Sequence, residues 1–337
     1  MAAPKPQSLT SFVAPLPAGA FVTAAAFLGR APVLALGSGA VLIGEAGAQT
    51  GVEAHPDAAI QSAVCDGRRI VTGGDDGRVV ATSADGTCET IAHEKGRWID
   101  ALALRDDGAL AWAAGKTVRA RDAKGFVKST QATSTVRGLA FMPKGYRLAY
   151  SQYNSVALWF PNAVAPPEEL AWRGVHLDVT FSPDGRFAVS SMQENALHGW
   201  RLEDRKDMRM SGYPAKTRSL SWSPDGHWLA TSGAEACIVW PFNSRDGPMG
   251  KSPRECGVRP AKVTRVAFHP KNLVVALGYE DGWVMLCRLT DAAELLVRAR
   301  SDGDNMAPVT ALAWSADGKR LVFGTSAGEA GVLDLPA

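Results

Sequence analysis

The stretch Val309-Thr-Ala-Leu-Ala-Trp314, followed directly by the turn Ser315-Ala-Asp-Gly318, decides the fold of this chain. Short runs of β-branched, aliphatic and aromatic residues bounded by turn residues are typical of β-strands. In the turn, Asp hydrogen-bonds the backbone and Gly accepts a positive φ. A second apolar run, from Arg320 to Gly324, comes next. The segment therefore predicts a β-hairpin.

The same pattern recurs along the whole chain. Its clearest other copies are Val136-Arg-Gly-Leu-Ala-Phe141 and Val263-Thr-Arg-Val-Ala-Phe268. Weaker copies end at Phe27, Cys65, Leu104, Phe181 and Trp222. The eight anchor residues are spaced by 38, 39, 37, 40, 41, 46 and 46 positions. A period of about 40 to 45 residues is that of a four-stranded propeller blade.

Each copy continues with further strands and turns, such as the turn Gly74-Asp-Asp-Gly77 and the run Ile238-Val-Trp240. On these motifs the chain resembles the WD40 repeat family, with divergent repeats of the bacterial type, over about residues 20 to 335. The family's terminal Trp-Asp pair is eroded, since Trp159, Trp200 and Trp240 are followed by other residues than Asp. A hydrogen-bonded tetrad in most blades is therefore not expected.

The resemblance implies an all-β propeller that forms a single domain over residues 1–337. The repeat count predicts eight four-stranded blades, with seven as the alternative if the divergent first copy does not form a blade. The predicted repeats are about 18–53, 54–92, 93–130, 131–170, 171–210, 211–256, 257–300 and 301–337.

The last repeat supplies only three strands before the chain ends. An open sheet edge would result, which native proteins avoid by pairing or covering it. The family's usual remedy is an added strand from the N-terminal segment, here residues 1–17. We expect Leu9-Thr-Ser-Phe-Val-Ala14 to pair with the last blade and close the ring.

The charge balance and the cysteine content of the chain disfavour several classes of function. The net charge of +2 results from 36 basic and 34 acidic residues, so general binding to nucleic acids or membrane surfaces is not expected. The five cysteines contain no CxxC pair, which disfavours a disulfide framework and a zinc site. The N-terminus carries no continuous apolar h-region of a signal peptide. We therefore expect a cytoplasmic protein.

The patterns that resemble catalytic or metal-binding motifs do not meet the requirements of those motifs. Gly324-Thr-Ser-Ala-Gly328 matches the GxSxG pattern of hydrolases, but strands are predicted on both sides where that motif requires a following helix. The six histidines show no metal-ligand spacing. We therefore expect a protein that is not an enzyme and has no catalytic residues, metal or cofactor.

The innermost strand of each blade faces the central channel, and its third residue can be compared across the repeats. Most of these residues are small, but Asp178 and Arg265 are charged. Because charged groups are rarely buried unpaired, these two either pair across the channel, contact water or contact a ligand. His176 is the histidine expected nearest to the axis.

Two similar connections enter the sixth and seventh blades. By the family's geometry they lie beside the channel on one face, where Tyr213 would be an apolar neighbour of a basic arc. The arc comprises Lys216, Arg218, Arg259, Lys262 and Arg265. Arg and Lys side chains favour carboxylates and phosphates. The alternative is that Glu235, Glu280 and Asp281 neutralise the arc.

Aromatic and arginine residues suited to anchoring a partner are also expected on that face. They are Arg97, Trp98, Tyr150, Tyr153, Trp172, Arg173 and Tyr279. The leading hypothesis is a protein-interaction scaffold that binds a protein or peptide partner, with an acidic partner as one option, as a monomer or as part of a hetero-complex. The alternative is a propeller enzyme, or a small-molecule or metal-binding protein, with a site in the channel at His176, Asp178 and Arg265. Nucleic-acid binding is a weaker third hypothesis.

Overall fold

The computed structural model describes residues 7–299 and 307–336. The parts of the predicted segments at 1–6, 300–306 and 337 lie outside the described residues. A 3-10 helix spans Thr10–Phe12, and all other regular structure in the described ranges is β-strand. In chain order the strands are β1 (Gln7–Ser8), β2 (Val13–Pro15), β3 (Val22–Leu28), β4 (Ala31–Leu36), β5 (Ala40–Ile43), β6 (Thr50–Glu53), β7 (Ile60–Cys65), β8 (Arg69–Gly74), β9 (Arg78–Ser83), β10 (Cys88–His93), β11 (Ile99–Leu104), β12 (Leu110–Ala114), β13 (Thr117–Arg121), β14 (Val127–Gln131), β15 (Leu139–Phe141), β16 (Leu148–Trp159), β17 (Glu168–Phe181), β18 (Phe187–Met192), β19 (Leu197–Arg201), β20 (Asp207–Met210), β21 (Leu220–Trp222), β22 (Trp228–Thr231), β23 (Cys237–Pro241), β24 (Arg254–Cys256), β25 (Val263–Phe268), β26 (Val274–Tyr279), β27 (Val284–Arg288), β28 (Glu294–Arg298), β29 (Val309–Trp314), β30 (Arg320–Thr325) and β31 (Ala330–Asp334).

The strands form a β-propeller, which confirms the predicted all-β class. Strands β3 to β6, β7 to β10, β11 to β14 and β21 to β24 make four sheets of consecutive antiparallel strands. Strands β25 to β28 and β29 to β31 make two more, each with one N-terminal strand added. Every anchor residue of the sequence pattern lies on a strand, from Phe27 on β3 to Trp314 on β29.

The prediction of eight four-stranded blades is wrong, and the described residues show seven blades, the number given as the alternative, although the first repeat does form a sheet, β3 to β6. The described residues form seven hydrogen-bonded sheets, because β15 to β20 join the fourth and fifth repeats into one sheet of six strands. Strand β17 has 14 residues and runs from one repeat into the next through Gly174, whose φ is +136°. A Cβ at Gly174 would lie 2.5 Å from Met192 Cε. A continuous strand thus crosses the boundary predicted between the repeats 131–170 and 171–210.

Apolar layers between neighbouring sheets hold the propeller together. One such layer combines Ala113 and Val118 of the third repeat with Leu148, Tyr150 and Trp159 of the fourth. Each large side chain buried in this way contributes about 1.5 to 3 kcal/mol. Middle strands such as β12 are buried at every residue, so each repeat depends on its neighbours.

Side-chain hydrogen bonds also link the innermost strands. Thr23 Oγ1 donates to the Ile60 carbonyl at 3.0 Å, and Thr264 Oγ1 donates to the Val309 carbonyl at 2.7 Å. Thr310 Oγ1 donates to the Val22 carbonyl at 2.6 Å, which connects the last repeat to the first. Each of these threonines is the residue at which the pairing register of its innermost strand with the second strand shifts.

The N-terminal segment differs from the predicted single strand over Leu9 to Ala14. Strand β1 pairs in parallel with β28, the short helix follows, and β2 pairs antiparallel with β31, with Val13 opposite Leu333. The buried Leu9 lies between these two strands, and its backbone N–H donates to the Leu296 carbonyl at 2.7 Å. The segment therefore contacts two sheets rather than one.

Polar networks replace the eroded Trp-Asp signature in some repeats. Trp240 Nε1 donates to Tyr213 Oη at 2.6 Å, and Tyr213 Oη donates to Thr231 Oγ1 at 2.7 Å. Thr231 Oγ1 in turn donates to the Ile238 carbonyl at 2.8 Å. All members of this chain are buried or nearly so, and each hydroxyl is satisfied.

We expect Tyr213→Phe to destabilise the protein, because it leaves the buried Trp240 N–H without an acceptor. The expected loss in the free energy of unfolding is about 1 to 3 kcal/mol. Urea denaturation of the variant measures it. The control Tyr153→Phe, at a tyrosine that is 58% exposed, should change the free energy by less than about 0.5 kcal/mol. Equal stability of Tyr213→Phe and the unmodified protein would show that the network contributes nothing.

Candidate functional site

A cavity of about 1120 Å³ occupies the central channel and opens on one face of the propeller. This face carries the connections that enter the innermost strands and the turns between the second and third strands. Five basic and two acidic side chains line the cavity: Asp100, Lys116, Arg137, Asp178, Lys216, Arg218 and Arg265. The lining is therefore basic although the whole chain is nearly neutral.

Local backbone geometry brings the basic side chains together from distant parts of the sequence. Lys116 lies in the tight turn between β12 and β13. Arg137 precedes β15, and Lys216 and Arg218 precede β21. Antiparallel neighbours in a sheet place these turns and entries at the same end of the strands. The cations thus meet around one mouth.

These cations have no ion-pair partner within residues 7–299 and 307–336. That holds for Lys116, Arg137, Lys216, Arg218 and Arg265. Lys116, Arg137 and Arg218 are exposed, whereas Arg265 is partly buried. Concave walls of low dielectric concentrate the field of such a cluster. The mouth is consequently a favourable place for negative charge.

Arg265 and Asp178 do not pair with each other. Arg265 Nε donates to the Thr310 carbonyl at 2.7 Å and Nη1 donates to the Thr264 carbonyl at 3.0 Å. Burial lowers the pKa of Arg265, and the neighbouring Arg218 charge adds to that effect. Two carbonyls fix the guanidinium against the channel wall, and its Nη2 donates no hydrogen bond within the described chain.

Asp178 has few partners. Its Oδ1 accepts a hydrogen bond from the Val179 N–H at 2.8 Å. The carboxyl group lies against Gly138 on the cavity wall, since a Cβ at that glycine would be 2.8 Å from Asp178 Oδ1. Desolvation raises the pKa of Asp178 to about 6, partly offset by the Val179 hydrogen bond. The glycine at 138 is what leaves room for this side chain.

We expect Asp178→Asn to stabilise the protein near neutral pH. Because the folded-state pKa lies above the unfolded value of about 3.9, the unfolded chain ionises first and the wild type loses stability as pH rises from about 4 to 6. Above that range the advantage of the variant should reach about 1 to 2 kcal/mol, allowing for water in the channel. Thermal unfolding between pH 4 and 8 measures it.

Asp317→Asn is the control of opposite sign, because a hydrogen bond from the Ser315 hydroxyl lowers the pKa of Asp317. An advantage of Asp178→Asn that does not grow with pH would contradict the assignment.

Of the five residues in the predicted basic arc, two form ion pairs and three line the cavity. Arg259 pairs with Asp281 at 2.6 Å and lies over the Trp283 ring at 3.6 Å. Lys262 pairs with Glu280 at 3.7 Å. The alternative of neutralisation therefore holds for Arg259 and Lys262, whereas Lys216, Arg218 and Arg265 line the cavity.

Of the aromatic and arginine residues predicted to anchor a partner, some are packed within the protein and others are exposed. Tyr279 and Tyr213 are buried, and the Tyr279 hydroxyl donates to the Gly257 carbonyl at 2.5 Å, so neither is a surface residue. Tyr150 is buried as well. Trp172 is stacked on His198 with ring centroids 3.8 Å apart. These four side chains therefore pack against other residues of the protein, rather than lying free on its surface as predicted.

Four other residues predicted to anchor a partner are on the surface, as expected. Trp98 is 60% exposed and Tyr153 is 58% exposed. Arg97 and Arg173 are exposed too. Tyr153 lines the cavity, and Trp98 lies two residues before Asp100, which also lines it. One exposed aromatic side chain, that of Tyr153, thus borders the basic mouth.

The described residues provide no observation in favour of a catalytic or metal site. His176 is buried, with Nδ1 at 2.9 Å from Ser190 Oγ and Nε2 at 3.0 Å from the Trp172 carbonyl. Across the described ranges, no three His, Cys, Asp or Glu side chains are placed to hold a metal ion. Ser326 lies in the turn between β30 and β31, where no helix follows. In the same ranges, no helix has the length and apolar character needed to cross a membrane.

Sequence reasoning missed Lys116 and Arg137. Both follow from the pattern, because Lys116 occupies the turn between the second and third strands of its repeat and Arg137 is the second residue of the repeated six-residue motif. Comparing only the third position of that motif excluded them.

Comparisons with known proteins agree with this architecture. The family described as the anaphase-promoting complex subunit 4 WD40 domain matches residues 266–336. The family described as WD domain, G-beta repeat, matches residues 208–240. The crystal structure of the computationally designed Ika8 protein is similar with a TM-score of 0.76 and 18% identity, covering 95% of this chain and 98% of that chain. At that identity the likeness shows the fold alone. No curated protein matches the chain.

Proposed function

Because the chain belongs to the WD40 repeat family of β-propellers, we propose that it is a non-catalytic interaction platform whose cavity mouth binds an acidic segment of a protein partner. WD40 propellers typically bind proteins. One observation carries the acidic preference: five basic side chains line the cavity without an ion-pair partner in the described ranges.

The arrangement suits an extended acidic segment better than a flat surface. Carboxylates entering the mouth would meet Lys216 and Arg218 on one side and Arg137 and Lys116 on the other. Charge-assisted hydrogen bonds from Arg and Lys are stronger than neutral ones. The exposed Tyr153 in the cavity lining supplies apolar contact area, as interface anchors commonly do.

The channel-site alternatives are less well supported. A hydrolase or metal-binding site would need free ligands or a paired acid and base. His176 already has both nitrogens engaged, and Asp178 has no basic partner among residues 7–299 and 307–336. Nucleic-acid binding is disfavoured by the net charge of +2.

We further infer that the N-terminal segment closes the ring and keeps the platform rigid. Supporting this are the pairing of β2 with β31, the contact of Leu16 and Ala18 with Val22 and Val332, and the Thr310 to Val22 hydrogen bond. We also infer that the protein acts in a reducing compartment, consistent with the cytoplasm, as a monomer or within a hetero-complex. Its five cysteines are free.

Affinity purification from cells that naturally express the protein tests the function. The unmodified protein is compared with a variant carrying Arg137→Glu, Lys216→Glu and Arg218→Glu. We expect a stoichiometric protein partner with the former and its loss with the latter. A partner recovered equally by both, or a purified protein that turns over substrates in a hydrolase panel, would overturn the proposal.

A further inference from the structure

Three cysteines converge between the sixth and seventh repeats. Cys237 on β23 and Cys256 on β24 are direct cross-strand neighbours. Cys287 on β27, in the next sheet, belongs to the same apolar layer, together with Tyr279. The three thiols lie in sequence 19 and 31 residues apart, so only folding brings them together.

The three thiols differ in access and in environment. Cys237 and Cys287 are buried, whereas Cys256 is partly exposed. Cys256 Sγ donates to the Cys237 carbonyl at 3.9 Å, and the neighbouring Cys237 and Cys287 thiols lower the pKa of Cys256. Desolvation raises the pKa of Cys237 above its usual range. The most accessible sulfur of the cluster is thus the one that lies opposite a second cysteine and whose thiolate, the nucleophilic form, its neighbours favour.

We propose that Cys256 is a peroxide-reactive thiol and that Cys237 resolves it to a reversible cross-strand disulfide. The Cys256 thiolate attacks one peroxide oxygen, the O–O bond breaks, and a sulfenic acid and hydroxide form. Cys237 then attacks the sulfenic sulfur, a S–S bond forms, and the oxygen leaves as water. Two thiols are oxidised, and one hydrogen peroxide is reduced to two waters.

Cross-strand geometry predicts that this bond is labile. Opposed Cβ atoms in an antiparallel pair lie about 4.5 to 5.5 Å apart, whereas a disulfide needs about 3.5 to 4.5 Å. Closing the bond therefore pulls β24 toward β23 and strains the hairpin. Strained disulfides have more oxidising potentials and are the ones that reductants reverse readily.

Cys88 provides a matched internal control. It is exposed, and its Sγ lies 3.3 Å from Thr82 Oγ1 rather than beside another thiol. If exposure alone determined reactivity, Cys88 would react before the partly exposed Cys256. The cluster predicts the reverse order.

The test treats the full-length reduced protein with hydrogen peroxide, blocks remaining thiols and maps the peptides by mass spectrometry. We expect a Cys237–Cys256 disulfide that dithiothreitol reverses, formed at least about 10-fold faster than oxidation of Cys88. Cys237→Ser should leave a Cys256 sulfenic acid that dimedone traps, and Cys88→Ser should change nothing. Five thiols that stay reduced, a Cys256–Cys287 bond, or faster oxidation of Cys88 would each overturn the proposal, and the first measurement requires no variant to fold.

Discussion

Replacing Arg137, Lys216 and Arg218 with glutamate is expected to lower the affinity for a fluorescein-labelled poly-glutamate peptide by about 100-fold. Each reversal converts an attraction at the mouth into a repulsion worth about 1 kcal/mol, and about 1.4 kcal/mol corresponds to a tenfold change in affinity. The side chains lack ion-pair partners in the described ranges, so reversal breaks no existing bridge. Fluorescence polarisation at low salt measures the effect.

The matched control reverses Lys124, Lys271 and Lys319, which are exposed in turns at the other end of the strands and change the net charge equally. It should bind like the unmodified protein. Added salt should weaken wild-type binding, because solvent ions screen exposed charges beyond about 8 to 10 Å. Equal losses in both triple variants would mean that only net charge matters, and would contradict a localised site.

Removing residues 1–15 is expected to lower the free energy of unfolding by about 3 to 6 kcal/mol, because it exposes the edge of β31 and the apolar side chains beside it. Leu333 and Val332 are buried against this segment, and Leu9 is buried between its two strands. Urea denaturation of the truncated chain measures the change. A synthetic peptide of residues 7–15 added in trans should restore part of the stability.

A matched pair of substitutions separates packing from chain length. Leu9→Ala removes a side chain that is 9% exposed, whereas Phe12→Ala, three residues on, removes one that is 44% exposed. We expect only Leu9→Ala to destabilise, by about 2 kcal/mol. Unchanged midpoints for both Leu9→Ala and the truncation would contradict closure by this segment.

The sequence predicted the repeated elements well because they depend on local signals. The hairpin from Val309 to Gly324 follows from turn chemistry and strand patterns that each repeat carries within itself. Gly174 shows the limit of such signals. Its position between two repeats looks like a loop, but extended residues on both sides and a positive φ let β17 continue through it.

The candidate site was predicted only in part, because side-chain burial depends on neighbours from other repeats. Tyr213 and Trp98 look alike in sequence, as aromatic residues before an innermost strand. Tyr213 is buried because Thr231 and Trp240 surround its hydroxyl, whereas Trp98 has no such enclosure and is exposed. The cavity lining that includes Lys116 likewise depends on the radial placement of the repeats.

Lysine footprinting tests the central claim most directly. The protein is acetylated at its lysines with and without the poly-glutamate peptide, and each lysine is quantified by mass spectrometry. We predict that the peptide protects Lys116 and Lys216 in the cavity and leaves Lys124, Lys271 and Lys319 as reactive as before. Equal protection of all five, or no protection of Lys116 and Lys216 at saturating peptide, would contradict a binding site at the basic mouth.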